Sequence, residues 1–177
     1  MIENNSTQTA VWLTPTAALR RFCLPETPPV VGKSETDPFF GFQIGSYAFL
    51  ISVDTYCEVI EHLPVNPLPN VDLWFSGLLN LRGALVPVID LHALFSQATT
   101  DNKRQLLVID RAEKAMAIWI DGLPQIHNLA SQPLKQLPPL PPLLECCVIS
   151  GHLHHNQIWL NVQFDTLFKT LGDSYAT

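Results

Sequence analysis

Short stretches in which every second residue is hydrophobic recur along the chain, and this period of two is typical of half-buried β-strands. Two such stretches lie between Phe39 and Val53 and are separated by Gly45 and Ser46. Small residues between two alternating stretches favour a tight turn. This part of the sequence therefore predicts a β-hairpin.

A second hairpin is predicted further along the chain. The strands "GLLNL" and "ALVPVI" are separated by Arg82 and Gly83. Glycine readily adopts the positive φ that a two-residue hairpin turn needs. Asp90 follows the second strand and is well placed to cap one helical turn, because aspartate accepts hydrogen bonds from the free N–H groups at a helix start.

The second half of the chain contains the same kinds of strand and turn signals. A strand, "RQLLVID", is followed by the strand "AMAIWIDGLPQI", which Gly122 and Pro124 either bend or end. The stretch "VISGHLHHNQIWLNV" then predicts a final hairpin. Strand signals therefore dominate both halves of the sequence.

Helical signals are few. Thr14 and Pro15 resemble the start of a short helix that is followed by a proline-rich linker, and Asp165 is well placed to cap a closing helix. The segment "LKQLPPLPPLLE" predicts an extended connector, since consecutive prolines favour polyproline geometry.

These signals together predict an all-β protein of two small barrels or sheets, one on each side of residue 100. Residues 1–37 are expected to form an N-terminal helix and flexible linker, and residues 38–177 a folded domain. Within that domain, residues 38–96 are expected to form the first barrel. Residues 104–177 are expected to form the second barrel and the C-terminal helix.

Composition narrows the classes of function. Hydrophobic residues make up 47% of the chain and charged residues only 15%, which favours a surface occupied by partner proteins. The net charge of -6 and the absence of a basic cluster argue against nucleic-acid binding. No apolar run reaches the roughly 18 to 20 residues of a bilayer span, and the N-terminus does not resemble a signal peptide. We therefore expect a cytoplasmic protein that does not insert into the membrane.

Candidate chemistry is sparse, because the sequence has no phosphate-binding glycine loop, nucleophile elbow or zinc-protease motif. His152, His154 and His155 are the best metal candidates, since the first two would share one face of a strand. The alternative interpretation of these histidines is an exposed hairpin tip. The four cysteines show no C-x-x-C spacing and are expected to be reduced: Cys23, Cys57, Cys146 and Cys147. A metal- or thiol-dependent sensor or enzyme is therefore the alternative to a binding protein.

Two charged residues stand in otherwise apolar surroundings. Glu58 lies in "YCEVI" and Arg82 in "LNLRGAL", where an unpaired buried charge would cost several kcal/mol, on the order expected for burial. They are expected to pair with each other or with a partner protein. Either the pair is an ordinary salt bridge at a barrel rim, or it fixes the shape of a docking surface flanked by Tyr56, Leu85 and Val86.

Over residues 39–170 the sequence resembles the CheW family of chemosensory coupling proteins. The most specific features are the N-L-R-G turn from Asn80 to Gly83 and the P-V-I-D-L run from Pro87 to Leu91. Glu58 and Val59 precede them by about two dozen residues, as an E-V pair does in the family. The combination is far more specific than any one of these pieces.

The resemblance implies a fold of two small, five-stranded SH3-like barrels with a few short helices. It also implies a non-enzymatic adaptor without a cofactor or bound metal. Such an adaptor couples the cytoplasmic domain of a methyl-accepting chemoreceptor to a CheA-type histidine kinase. A protein of this kind is expected in the cytoplasm, recruited to membrane-associated chemoreceptor arrays.

The resemblance also implies a set of protein-binding residues. Glu58 and Arg82 match the paired charges near the receptor groove of the family. The full candidate set is Tyr56, Glu58, Gly77, Asn80, Arg82, Leu85, Val86 and Leu106. No catalytic, cofactor-binding or metal-binding residue is expected.

Within the family, the likeness is greatest to adaptors of type IV pilus chemosensory systems. The features that resemble them are the long N-terminal lead-in, the segment "QLPPLPPLLE" and the ending "GHLHHNQIWL". A type IV pilus pathway, for twitching motility or surface sensing, is therefore expected, and a flagellar pathway is the alternative.

Overall fold

The structure is a computed structural model that describes residues 36–98, 104–130 and 133–175. Its strands are β1 (Thr36–Ile44), β2 (Tyr47–Ser52), β3 (Cys57–Ile60), β4 (Val65–Asn66), β5 (Phe75–Leu81), β6 (Ala84–Ile89), β7 (Arg104–Ile109), β8 (Met116–Ala130), β9 (Val148–His154) and β10 (Gln157–Val162). Its α-helices are α1 (Leu91–Leu94), α2 (Pro142–Glu145) and α3 (Phe164–Tyr175). None of the helices in these residues is long and apolar enough to cross a membrane.

The strands form one hydrogen-bonded network that wraps into two barrels. Its main path runs β4-β5-β6-β8-β1-β2-β10-β9, and β7 pairs with both β3 and β8. The strands from β3 to β7 therefore gather around the first half of β8 and make the first barrel. The second half of β8 pairs with β1, which leads on to β2, β10 and β9 in the second barrel. The predicted all-β class with a few short helices is confirmed.

The two barrels do not divide at residue 100 as the sequence suggested. β1 and β2 were expected in the first barrel, but β2 pairs in parallel with β10, so both strands belong to the second. β7 was expected in the second barrel, but it pairs with β3 in the first. Gly122, with φ +73°, bends β8 without ending it, so this strand continues into the second barrel. The described residues all belong to a single unit.

The strands pack against three hydrophobic cores, and for this reason their sequences are nearly continuous apolar runs. On β7, Leu106 points into the first-barrel core, whereas Leu107 points into a large core shared by the two barrels. On β2, Leu50 belongs to the second-barrel core and Phe49 to the shared core. Strands that are buried on both faces need apolar residues at every position.

The helices cover the shared core. Leu91 of α1, Leu144 of α2 and Leu167 of α3 are all buried in it. Asp90 caps α1 as predicted, accepting hydrogen bonds from the N–H groups of His92 and Ala93. The predicted cap at Asp165 is wrong, because α3 begins at Phe164 and Asp165 lies in its first turn. Its carboxylate interacts favourably there with the positive end of the helix dipole.

The proline-rich segment is an extended connector, as predicted, and ends at α2. Its Leu134 N–H donates to the carbonyl of Gly151 on β9 at 2.7 Å, so the connector covers part of the outer edge of that strand. Leu137 and Leu140 pack against the shared core. The helix expected near Thr14 and the linker up to residue 35 lie outside the described residues.

A buried polar network joins the two barrels where β8 passes between them. The His92 ring is fully buried and lies between Asp121 Oδ2, 3.0 Å from its Nε2, and Arg104 Nη2, 3.0 Å from its Nδ1. Arg104 also donates to Asp90 at 2.8 Å. Asp121 accepts from the N–H of Gly45, in the β1–β2 turn, at 2.7 Å. Because guanidinium only donates and carboxylate accepts, the His92 ring carries its hydrogen on Nε2.

Candidate functional site

The β5–β6 turn presents Arg82 at the rim of the first barrel. Arg82 and Gly83 form a two-residue turn with φ values of +53° and +90°, the left-handed geometry that suits the twist of a hairpin. The side-chain oxygen of Asn80 accepts from the Gly83 N–H at 3.0 Å and closes the turn. The predicted turn at this position is therefore confirmed, and it directs Arg82 towards β3.

Arg82 pairs directly with Glu58, as the sequence suggested. One guanidinium nitrogen donates to Glu58 Oε2 at 3.0 Å, and the second donates to Oε1. The Tyr56 hydroxyl donates to Glu58 Oε2 at 3.0 Å, and the Arg111 guanidinium lies 3.6 Å from the centre of the Tyr56 ring. The hydrogen bond from Arg82 is the largest of the effects that hold the pKa of Glu58 below its usual value, and it also raises the pKa of Arg82.

A rim pocket of about 380 Å3 opens beside this group. Its wall is polar and its floor is made by the edge of the first-barrel core. The lining residues are Tyr56, Glu58, Leu81, Arg82, Ala84, Val86, Val108, Asp110, Arg111, Ala112 and Ala115. The bidentate pair therefore stands at the edge of a pocket that has a polar wall and an apolar floor.

A groove of about 510 Å3 lies between the barrels and shares Tyr56 and Asp110 with the rim pocket. The turn after β2, the end of β7, the end of β10 and the start of α3 form its walls. Its lining residues are Ile51, Ser52, Asp54, Thr55, Tyr56, Ile109, Asp110, Ile149, Asn161, Val162, Gln163, Phe164 and Asp165. Apolar side chains and three carboxylates therefore line the same groove.

The candidate residues divide into an exposed and a buried set. Tyr56, Glu58 and Arg82 meet at the rim. Asn80 closes the adjacent turn, and Leu85, opposite Asn80 in the hairpin, is 67% exposed. These five residues can contact a partner directly.

The other three candidates lie beneath that surface. Leu106 is only 2% exposed and packs in the first-barrel core, and Val86 forms part of the same core beneath the rim pocket. Gly77 is buried against β4, where an added Cβ would lie 2.1 Å from the carbonyl oxygen of Asn66. Any effect of these three residues on binding would act through the shape of the barrel.

Sequence reasoning missed Arg111 and Asp54. Arg111 lies in a turn between two residues with positive φ, Asp110 and Ala112, and this conformation brings its guanidinium over Tyr56. Asp54 lies in the turn between β2 and β3 and lines the groove. The only sequence signal for either was its place in a turn, which is too general to indicate a site.

The histidines separate into two environments. His152 is buried, with Nε2 3.1 Å from Ser150 Oγ, and its ring lies against Phe39. The rings of His154 and His155 are 4.1 Å apart at the β9–β10 turn, and the ring of His127 from β8 lies 5.6 Å from His154. Burial is the largest effect that lowers the pKa of His127, followed by the charges of His154 and His155.

The metal interpretation of these histidines gains no support. Within the described part of the chain, no three His, Cys, Asp or Glu side chains are arranged to hold a metal ion. A hairpin does form here, since β9 pairs with β10 and His155 and Asn156 have positive φ at its turn. His154 and His155 lie at this turn, but the expected exposed position is wrong for His152, which is buried on β9.

Comparison with known proteins identifies the family. The model of the CheW-like domain matches residues 38–171, about three quarters of the chain. The chain belongs to the CheW-like family. It is 28% identical to protein PilI of Pseudomonas aeruginosa over 126 residues, which cover 68% of each protein. It is 24% identical to chemotaxis protein CheW of Klebsiella aerogenes over 111 residues, covering 62% of this chain and 67% of that protein.

A solved structure of a CheW-like protein has the same fold. Scaffolding protein TtCheW from Thermoanaerobacter tengcongensis superimposes with a TM-score of 0.63, at 16% identity, over 76% of this chain and 93% of that chain. The expected resemblance to the CheW family is confirmed, and PilI is among the similar proteins. The chain is therefore a CheW-like scaffold or adaptor of chemotaxis-type signalling and not an enzyme.

Proposed function

We propose that this CheW-like protein couples the cytoplasmic tip of a methyl-accepting chemoreceptor to a CheA-type histidine kinase. The observation that carries the proposal is the hydrogen-bonded Tyr56, Glu58 and Arg82 group beside the groove between the barrels. An exposed ion pair contributes little to stability, and the Arg82 side chain is 70% exposed. Recognition is a better reason than stability for holding this guanidinium in one orientation.

The groove supports a helical receptor partner. Ile149 is 65% exposed and offers an apolar contact above the buried Ile109 and Phe164. Asp54 and Asp165 lie within the same lining. An amphipathic helix binds such a groove through an apolar stripe with anchors at helical spacing. Basic residues beside that stripe would complement the carboxylates, which favours correct orientation and fast association.

The kinase is proposed to bind the first barrel through its own CheW-like domain. Leu85 on β6 is exposed, and Leu73, just before β5, is 93% exposed. Large exposed apolar side chains near sheet edges are typical of protein contacts when they cluster. The receptor and the kinase would then occupy different faces of one rigid adaptor.

The likeness to PilI supports a pilus pathway. We propose that the protein acts in type IV pilus signalling and twitching motility, in the cytoplasm at membrane-associated chemoreceptor arrays. Deletion of the gene should then reduce twitching zones on agar and leave swimming unchanged. Loss of swimming with normal twitching would assign the adaptor to a flagellar pathway instead.

Co-purification tests the coupling itself. The full chain should bind a purified receptor signalling tip and a CheA-type kinase from the same genome. Arg82→Glu should weaken receptor or kinase binding by about tenfold, since it places two negative charges together at a recognition surface. Lys169→Glu, an equal charge change on the exposed face of α3, should change binding less than about twofold.

The double variant Glu58→Arg with Arg82→Glu separates two roles of the pair. If the two side chains act by orienting each other, the swapped pair should recover part of the binding. A double variant no better than either single variant would show that Arg82 is needed for its charge. The proposal would be refuted if the unmodified protein bound neither the receptor nor the kinase.

A further inference from the structure

Two adjacent thiols lie together at the junction of α2 and β9. The sulfur atoms of Cys146 and Cys147 are 3.3 Å apart, and Cys146 Sγ is also 3.0 Å from the carbonyl oxygen of Leu143. Because a carbonyl only accepts, Cys146 donates to Leu143 and Cys147 donates to the Cys146 sulfur. The two side chains therefore point to the same side of the chain, which successive residues in an extended strand do not do.

The two thiols differ in their access to solvent. Cys146 is exposed, whereas Cys147 is buried and packs in the shared core. Burial, and then the hydrogen bond and charge of Cys146, raise the pKa of Cys147 to about 12. A reagent in solution therefore meets Cys146 first, with a protonated thiol held directly behind it.

We propose that Cys146 is a site of reversible oxidation by hydrogen peroxide and that Cys147 is its resolving thiol. The Cys146 sulfur attacks one peroxide oxygen, the O–O bond breaks, and the thiol becomes a sulfenic acid with release of water. The Cys147 sulfur then attacks the Cys146 sulfur. The S–O bond breaks, an S–S bond forms, and the hydroxyl group leaves with the Cys147 proton as a second water. The two sulfurs together supply the two electrons that reduce one peroxide.

The local geometry favours the second step. The sulfurs need to approach by only about 1.3 Å to reach the roughly 2.05 Å of a disulfide bond. Intramolecular attack over this distance competes well with further oxidation by free peroxide.

Chain geometry makes the product easy to reduce. Adjacent Cα atoms are about 3.8 Å apart, less than the roughly 4.4–6.8 Å that separates the Cα atoms of most disulfides. A bond between neighbouring residues therefore strains the backbone, and strained disulfides are the labile, regulatory ones. This property distinguishes a reversible site from a structural disulfide.

The site adjoins the groove between the barrels. The Cys147 carbonyl accepts from the Gln163 N–H at 2.9 Å, and Gln163 lines the groove together with Ile149. A change in the backbone at Cys147 therefore reaches the groove through one hydrogen bond. The oxidation chemistry itself does not depend on what the groove binds.

Peptide mass spectrometry of the full chain tests the proposal without any partner. Trypsin cleaves after Lys135 and after Lys169, and no lysine or arginine lies between them. It therefore releases residues 136–169 as one peptide, which holds Cys146 and Cys147 and no other cysteine. The protein is treated with graded doses of hydrogen peroxide, and the remaining free thiols are then alkylated. The oxidised peptide should carry no alkyl group and should be two hydrogens lighter than the reduced, unalkylated peptide. Dithiothreitol should restore both thiols. The peptide that carries the half-buried Cys57 provides the internal control and should keep a free thiol at the same peroxide dose.

Variants separate the two roles. Cys146→Ser should protect the peptide from peroxide, and Cys147→Ser should leave a sulfenic acid on Cys146 that dimedone traps. Cys147→Ala repeats that test with an apolar replacement in case serine unfolds the shared core. Oxygen gain at Cys146 without loss of two hydrogens, or reaction of Cys57 before Cys146, would overturn the proposal. Because no receptor or kinase is present, these outcomes leave the proposed coupling function untouched.

Discussion

Replacement of Gly77 by alanine tests whether this residue supports the binding site or forms part of it. Gly77 lies on β5 with φ +132°, a conformation that L-residues rarely adopt. An added Cβ would lie 2.1 Å from the Asn66 carbonyl oxygen and 2.8 Å from Pro67 Cα, both on the backbone of the neighbouring segment. We expect Gly77→Ala to push β4 away from β5 and to destabilise the first barrel.

The size of the effect follows from the geometry. A carbon–oxygen contact normally needs about 3.3–3.6 Å, so β4 has to retreat by more than about 1 Å. Opening its pairs with Leu78 and Leu79 would cost roughly 1–3 kcal/mol, at about 0.5–1.5 kcal/mol for each hydrogen bond. The unfavourable φ adds roughly 1–3 kcal/mol. The total is about 2–6 kcal/mol.

Gly83→Ala provides the matched control. Gly83 also has a positive φ, +90°, but an added Cβ there would meet no atom within 4 Å. It should therefore show only the conformational cost, on the order of 1–2 kcal/mol. Urea unfolding followed by tryptophan fluorescence measures both variants. With a slope of about 2 kcal/mol/M for a domain of this size, the Gly77 midpoint should fall roughly 0.5–1.5 M further than the Gly83 midpoint.

Equal midpoints for the two variants would refute the steric argument. A Gly77→Ala protein with normal stability but lost partner binding would show instead that this glycine contacts the partner. Loss of stability and of binding together, with binding recovered at lower temperature, is the result expected of a supporting residue.

The remaining predictions concern burial, charge and pH. Leu106→Ala should destabilise the protein by about 2–5 kcal/mol, because it opens a cavity in the first-barrel core. Leu85→Ala, at an exposed position, should change the free energy of unfolding by less than about 0.5 kcal/mol in the same urea assay. Similar losses for the two variants would contradict the assignment of Leu106 to the core and Leu85 to the surface. Asp121→Ala should cost about 3 kcal/mol, since the His92 ring and the Gly45 N–H lose a buried acceptor, and an unchanged midpoint would show that water replaces it. The pKa of His127 in the folded protein is lowered from 6.5, so the unfolded state binds a proton more tightly than the folded state does. The free energy of unfolding should therefore fall as the pH falls below 6.5. The slope of stability against pH between 7 and 5 should therefore be smaller in His127→Gln, and an identical slope would assign the acid sensitivity to other groups.

Local structure was predictable because its causes lie within a few residues. Two residues between alternating strands are enough to indicate the turns at Gly45 and at Arg82, and both hairpins form there. The cap at Asp90 was predictable for the same reason. The pairing of Glu58 with Arg82 was also predictable, because two charges in apolar surroundings have few other partners.

The assignment of strands to barrels was not predictable in this way. Leu50 on β2 pairs with Asn161 on β10, more than one hundred residues away, and no local pattern records such a pairing. β8 was also underestimated, since Gly122 and Pro124 resemble a strand end but only bend the strand. The buried network around His92 depends on both of these long-range arrangements, so no local pattern could predict it.

The order of strands along the chain has a consequence for folding. The first barrel is encoded from β3 to the first half of β8, between the strands that form the second barrel. Closing the β2–β10 pair directly from an open chain would fix a loop of about one hundred residues, at a substantial cost in loop-closure entropy. If the inner barrel folds first, it draws the two ends of that loop together and shortens the part of the loop that is still free. During synthesis the inner barrel is complete before β10 leaves the ribosome. β1 and β2 therefore have to wait with their apolar faces open for the last strands, which makes the outer barrel the slower step and the stage most exposed to aggregation.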